Sequence, residues 1–211
     1  QKIPKIPKPI ITPNIDSIAY NGVHIVNGYV SFPVCGPSRA GFITGRYQDR
    51  FGFTTNPTID PANNIAGLPL VEKTIAEVLK TKGYKSAIVG KWHLGTHPNF
   101  HPLNRGFDYF YGFLSGGHNY FMNQLTIESL ENVKSKSAWY RTKLRENHKT
   151  LEFEDYKTDY LTDELSEAAL RFIDKQAEND QEFFLFLAYN APHGPMHATE
   201  KYLSRFPDIQ D

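Results

Sequence analysis

Twice the chain runs from a stretch of helical period, through a turn signal, into a short and unbroken apolar segment. That repetition constrains its fold more than any other feature. Leu70 to Lys82 sets Val71, Ile75, Val78 and Leu79 at helical spacing, stops at Gly83 and leads into the apolar run Ser86 to Val89. Tyr156 to Glu178 sets Leu161, Leu165, Ala168, Phe172 and Ile173 on one face and leads into Phe183 to Tyr189. Apolar runs without alternation belong to strands buried on both faces, and such strands are parallel ones joined through helices. The expected fold is α/β, a mostly parallel central sheet with helices on both faces. Ligands bind beyond the carboxyl ends of such strands. Here Val89 leads into Lys91 and His93, and Tyr189 leads into His193.

The remaining elements are shorter. Pro13, followed by Ile15, Ile18 and Ala19, predicts a helix that ends near Asn21-Gly22, and Val23 to Tyr29 alternates as a strand. Pro37 to Gly45 suits a helix with Cys35 at its N-terminus. Residues 96–155, rich in aromatics, Gly and Asn without a sustained period, read as long loops with short strands. Lys2, Lys5 and Lys8 alternate with prolines, the pattern of an exposed extended arm. No repeat or linker divides the chain, so residues 1–211 are expected to form part of one domain.

With 40% apolar residues in 211, the chain can bury a sizeable core and lacks the composition of a disordered one. No apolar run reaches the roughly 18 residues a membrane span needs. Lys and Arg balance Asp and Glu at 23 each, without the concentrated basic face that nucleic acid would require. A single cysteine, Cys35, excludes an intramolecular disulfide.

Cys35-Gly36-Pro37-Ser38-Arg39 is the most informative stretch. Cys35 and Arg39 are four apart, so on one helix both project over its positive end, where an anionic substrate meets free N–H groups and a guanidinium. Spacing alone fits a buried thiol and a surface arginine equally well. Lys91 and His93, two apart at a strand end, can face the same side.

Cys-x-Pro-Ser-Arg followed by Thr44-Gly45-Arg46 resembles the signature of the type I, formylglycine-dependent sulfatases of the alkaline-phosphatase-like superfamily. Gly90-Lys91-Trp92-His93-Leu94-Gly95, Asn190-Ala191-Pro192-His193 and Thr12-Pro13-Asn14-Ile15-Asp16 agree in order and approximate separation. The resemblance implies that Cys35 is oxidised to formylglycine by a formylglycine-generating enzyme and attacks a sulfate ester. By the same carry-over Arg39 holds the nucleophile's oxygens, Lys91 contacts the sulfate, His93 is the base that releases it, and His193 serves the leaving oxygen. A sulfated carbohydrate or aryl ester is the implied substrate, and an extracytoplasmic location (periplasmic, secreted or lysosomal) is implied with it. His97, His101, His118, Asn119 and His197 each read first as structural or solvated; His118 and Asn119 are the candidates among them for substrate specificity.

The family also binds calcium through an Asp-Asp pair near its N-terminus and an Asp-Asn or Asp-His pair downstream. Neither pair occurs here; Asp16, Asp49 and Asp60 lie outside matching motifs, which leaves Cys35 as the one nameable metal ligand. The chain thus reads as an internal piece of a sulfatase catalytic domain without its first strand and C-terminal portion, inactive by itself. Three rivals stay open: a non-catalytic sulfate- or glycan-binding relative, a phosphonate or phosphodiester hydrolase, and a Cys/His thiol hydrolase.

Overall fold

The computed structural model describes residues 10–125, 130 and 136–207. The lysine and proline arm lies outside them. The chain divides into two compact units, Gln1–Val30 with Ala198–Asp211, and Ser31–His197. In the first, helix α1 spans Pro13–Asn21 as the proline and the Asn-Gly stop predict. The expected strand from Val23 to Tyr29 does not form there. Alternation makes a strand only where a partner supplies the ladder, and Val23, Ile25, Val26 and Tyr29 are all exposed instead.

The second unit carries the sheet. Helix α2 runs Cys35–Thr44, with Gly45 left-handed at its C-cap, φ 64°. Helix α3 is Ile75–Lys80, much shorter than the Leu70 to Lys82 stretch. Thr74 caps it by accepting from the Glu77 N–H at 3.1 Å, while the Glu77 carboxylate accepts from the Thr74 N–H at 2.6 Å. That capping box outcompetes the apolar spacing upstream, and Val71 is left exposed. Strand β1 is Lys85–Lys91, β2 Tyr109–Phe113, β3 Arg145–Glu146 and β4 Lys149–Thr150. Helix α4 is Leu161–Glu178 and β5 Phe183–Ala188. The α4 start falls five residues beyond Tyr156 because the buried Glu164 carboxylate accepts from the Lys157 and Thr158 N–H groups, both at 2.8 Å, and holds them outside the helix.

The sheet order is β4-β3-β2-β1-β5, with β1 parallel to β2 and β5 and a short antiparallel edge at β3 and β4. Ile88 lies in register with Phe110 and Phe186. That face packs against Ala40 and Ile43 of α2 and Ala76 of α3. On the other face Tyr109 stacks on Phe172 of α4 with ring centroids 5.8 Å apart. Helices therefore cover both faces, as the unbroken apolar strands require.

The three parallel strands come unusually close near their carboxyl ends. Gly90 has φ 115°, and a Cβ there would lie 2.1 Å from the Ala188 carbonyl oxygen; one on Gly112 would lie 2.0 Å from the Gly90 oxygen. Glycine is required by both conformation and space. Gly90→Ala is expected to destabilise the fold by about 3 kcal/mol or more, a sum of backbone strain and forced strand separation. A urea midpoint unchanged from the parent chain would contradict this account.

Candidate active site

Beyond these strand ends the ladder continues for two residues: Trp92 N–H donates to the Phe113 carbonyl at 3.0 Å and His93 N–H to Leu114 at 3.3 Å. Trp92 turns into the core, where its indole N–H donates to the Phe100 carbonyl at 2.8 Å. His93 takes the left-handed conformation, φ 61°, a strained choice for a residue with a Cβ. Its imidazole is backed by Gly116, where a Cβ would sit 2.7 Å from Nε2. The lack of a side chain at residue 116 gives the ring its place.

Residue 35 arrives from α2. Cys35, His93 and His193 line one cleft of about 410 Å³ together with Asn56, Ile59, Gly116, Trp139 and Tyr140. Lys91 reaches the Cys35 side chain, and Arg39 lies close enough to both to act on them electrostatically. The Arg39 guanidinium also lies over the Phe186 ring at 5.5 Å and leaves one buried N–H without a partner among the described residues. The His93 Nδ1 is likewise buried and unpartnered among them. His193 is positioned through its backbone: its carbonyl accepts from the Tyr120 hydroxyl at 2.8 Å and its N–H donates to Asn190 at 2.9 Å. Its Nδ1 donates to the Gly194 carbonyl at 2.8 Å, which leaves Nε2 as the ring nitrogen for a ligand.

Burial decides the charge states. It lowers Arg39 to about 10, against the pull of Cys35, so the guanidinium stays cationic at neutral pH. Lys91 is lowered by burial and by Arg39, with the Cys35 contact opposing. His93 is pushed down to about 3 by burial first, then by the charges of Lys91, Arg39 and His193, and is neutral at physiological pH. Two buried cations beside a neutral imidazole, with no carboxylate lining the cleft, form a site complementary to an anion.

Two expectations do not survive. His118 is wholly buried, and both ring nitrogens face main-chain carbonyls, those of Asn119 and Thr142, at 2.7 Å each. It offers no group to a substrate; it ties two loops together. Asn119 faces a separate cavity with Asn123, Gln124, Arg141 and His197. The calcium ligands that the sequence lacks are not supplied elsewhere in the fold. Among the described residues no three of His, Cys, Asp or Glu cluster to hold a metal, and the neighbours of Cys35 are cationic or neutral. Asp60 caps its own turn by accepting from the Ala62 N–H at 3.0 Å.

Sequence reasoning missed Asn56, Trp139 and Tyr140, which reach the cleft from segments without a periodic signal. Arg46 of the Thr-Gly-Arg block serves the frame: it pairs with the buried Glu72 and lies over the Phe51 ring at 5.9 Å.

Because His93 and His101, the latter at about 4 through burial and the charges of His148 and Arg145, titrate below the unfolded value near 6.5, the folded state binds fewer protons than the unfolded between these limits. Stability is expected to be whole above about pH 6.5 and to fall as pH drops toward 4 and 3. His93→Gln should flatten that slope. Urea midpoints between pH 7 and 4 that fall equally steeply in both proteins would refute the assignment.

The sequence matches the Sulfatase family profile over residues 5–211. Human N-acetylgalactosamine-6-sulfatase is 37% identical over 202 residues, 91% of this chain and 37% of that protein. The chain spans about a third of the length of the curated relatives it matches. The crystal structure of Ps i-CgsB in complex with k-i-k-neocarrahexaose superposes with a TM-score of 0.85 at 40% identity, covering 97% of this chain and 45% of that one. BT4656, solved with its substrate D-glucosamine-2-N,6-O-disulfate, gives a TM-score of 0.67 at 26% identity over 95% of this chain and 33% of that one.

Proposed function

Since the chain belongs to the sulfatase family, with the alkaline-phosphatase-like fold of its structural neighbours, we propose that the protein hydrolyses sulfate esters of carbohydrates with residue 35 as the nucleophile. The observation that carries this reading is the meeting of the sole thiol, His93 and His193 in one cleft that no carboxylate lines among the described residues, with Lys91 and Arg39 close enough to act on residue 35. A sulfated sugar is the substrate class because N-acetylgalactosamine-6-sulfatase and BT4656 are named for, or solved with, such sugars. The extracytoplasmic location belongs to the same proposal.

The surroundings of Cys35 suit its oxidised form, formylglycine, made by a dedicated generating enzyme. Its side chain faces the cleft, with Asn56 and Lys91 in contact and unpartnered buried atoms on Arg39 and His93 nearby. A hydrated aldehyde there supplies two hydroxyls on one carbon, one to attack sulfur and one to expel sulfate afterwards. Serine could form the ester but would lack that exit. Lys91 and Arg39 then stabilise the negative charge that gathers on the sulfuryl oxygens. His93 is neutral and can accept a proton; burial depresses it first and the neighbouring cations second, and the negative charge of a bound sulfate ester offsets the cations, so its proton affinity rises when substrate is present. His193 presents Nε2 to the ester oxygen. Calcium does not fit the described residues, and no step here runs through it.

Turnover of an aryl sulfate is expected to fall about 1,000-fold or more in Cys35→Ala. The peptide carrying residue 35 from active protein should have oxygen in place of sulfur and react with carbonyl reagents. An intact thiol in a protein that turns over sulfate, or faster turnover of the matched aryl phosphonate, would overturn the reading.

A further inference from the structure

The nucleophile's helix begins without a cap of its own. Val34 occupies the N-cap of α2 and gives no side-chain hydrogen bond. The first free N–H groups of a helix need partners, more so when buried. The one at Gly36 is satisfied from 20 residues away, where the Asn56 Oδ1 accepts it at 2.9 Å. The same oxygen accepts from the Cys35 Sγ at 3.5 Å. One carboxamide oxygen therefore holds both the backbone that carries residue 35 and the reacting side chain.

The approach is close enough to dictate a neighbour. A Cβ on Gly36 would lie 2.7 Å from Asn56 Oδ1, 3.1 Å from Pro57 Cδ and 3.3 Å from Asn56 Cα. Gly36 is the free position of Cys-x-Pro-x-Arg, yet here a side chain would push Asn56 away. Gly36 has an ordinary negative φ, so the requirement is for space alone. Asn56 itself lines the cleft beside Pro57, Thr58 and Ile59.

We propose that Asn56 is a positioning residue, whose carboxamide oxygen bridges the Gly36 N–H and the side chain of residue 35 and so holds that side chain in one rotamer over the cleft. With the thiol, Oδ1 takes the S–H; with two hydroxyls on the same carbon it takes one O–H, which fixes the other relative to Lys91. Aim is what a nucleophile most needs from its surroundings, since small misplacements cost rate heavily.

Because the chain has a single cysteine, ¹³Cβ-cysteine labelling of protein carrying the thiol gives one methylene signal, whose couplings report the side-chain rotamer. The parent is expected to show one rotamer and Asn56→Ala rotameric averaging. Asn56→Asp keeps the acceptor oxygen, so it should retain the single rotamer. Its added charge should displace the pH profile of iodoacetamide alkylation to higher pH, which a purely structural role would not do. The kinetic consequence rests on the sulfatase reading: with an aryl sulfate, Asn56→Ala should lose about tenfold in kcat with KM little changed. An unaltered rotamer in a folded Asn56→Ala overturns the inference. If Asn56→Ala does not fold, an alkylation profile in Asn56→Asp identical to the parent's overturns it instead. A rotamer that changes as expected, when the natural full-length protein turns over no sulfate ester, sinks the sulfatase reading and leaves the positioning role standing.

Discussion

Everything chemical in this molecule hangs on how closely β2, β1 and β5 can lie at their carboxyl ends. Gly90 and Gly112 occupy paired register positions, and neither has room for a methyl group before it meets the neighbouring carbonyl. Without side chains to hold them apart, the strands deliver Lys91 and His93 from β1 and the Asn190 to His193 loop from β5 to adjacent points. The approach also costs the backbone its usual freedom, with φ 115° at Gly90 and 150° at Gly112, a demand only glycine meets without strain. The left-handed His93 follows immediately. Strain therefore accumulates where the sheet ends and the cleft begins, and the core around Trp92 and Phe107, whose rings meet edge to face at 5.9 Å, holds it in place.

The charge arrangement is the second consequence. Arg39 and Lys91 are both drawn out of water, beside an imidazole that burial first, and their fields second, keep neutral. Buried like charges oppose folding unless something compensates. Here only partial compensation is visible: the Arg39 guanidinium lies over the Phe186 ring, and Lys91 reaches the side chain of residue 35. An anion in the cleft would relieve the repulsion, and the same field that makes the free site unfavourable would then be a source of affinity.

The parts of this design that were legible in the sequence are those set by local chemistry. The two apolar strands, the helices ahead of them and the carboxyl-end placement of Lys91, His93 and His193 follow from periodicity and from the parallel-sheet rule, although β5, at the sheet edge, is only partly buried. Cys35 at a helix start follows from the proline pattern. What escaped depends on partners far along the chain. Val23 to Tyr29 alternates like a strand but has no ladder neighbour among the described residues, so the pattern stays unspent. The Thr74 and Glu77 box lies in plain sight and would have set the α3 start, had capping been weighed above apolar spacing. His118, a specificity candidate in the sequence, lies buried between two carbonyls, and Gly117 before it leaves space for the Tyr140 ring. Asn56 bears no motif at all, and only its 20-residue reach to Gly36 reveals it.

The cleft has two unlike sides, and on the proposed reading their physical demands explain why. One side, with Cys35 at the start of α2 and His93 just beyond β1, carries the polar groups. The other, with Ile59, Trp139 and Tyr140, comes from connecting segments and offers apolar and aromatic surface, Tyr140 lying 6.2 Å from the His193 ring. A sulfuryl group is small and the same on every ester, so the polar side needs no variation. The alcohol that carries it differs from substrate to substrate, and loops can change without disturbing strands. Tyr140 also joins the two sides: its carbonyl accepts from the Asn119 N–H at 2.6 Å, next to the His118 clasp, and the following Tyr120 hydroxyl reaches the His193 carbonyl. A loop altered to fit another sugar would therefore remain tied, through these main-chain bonds, to the histidine nearest the leaving oxygen.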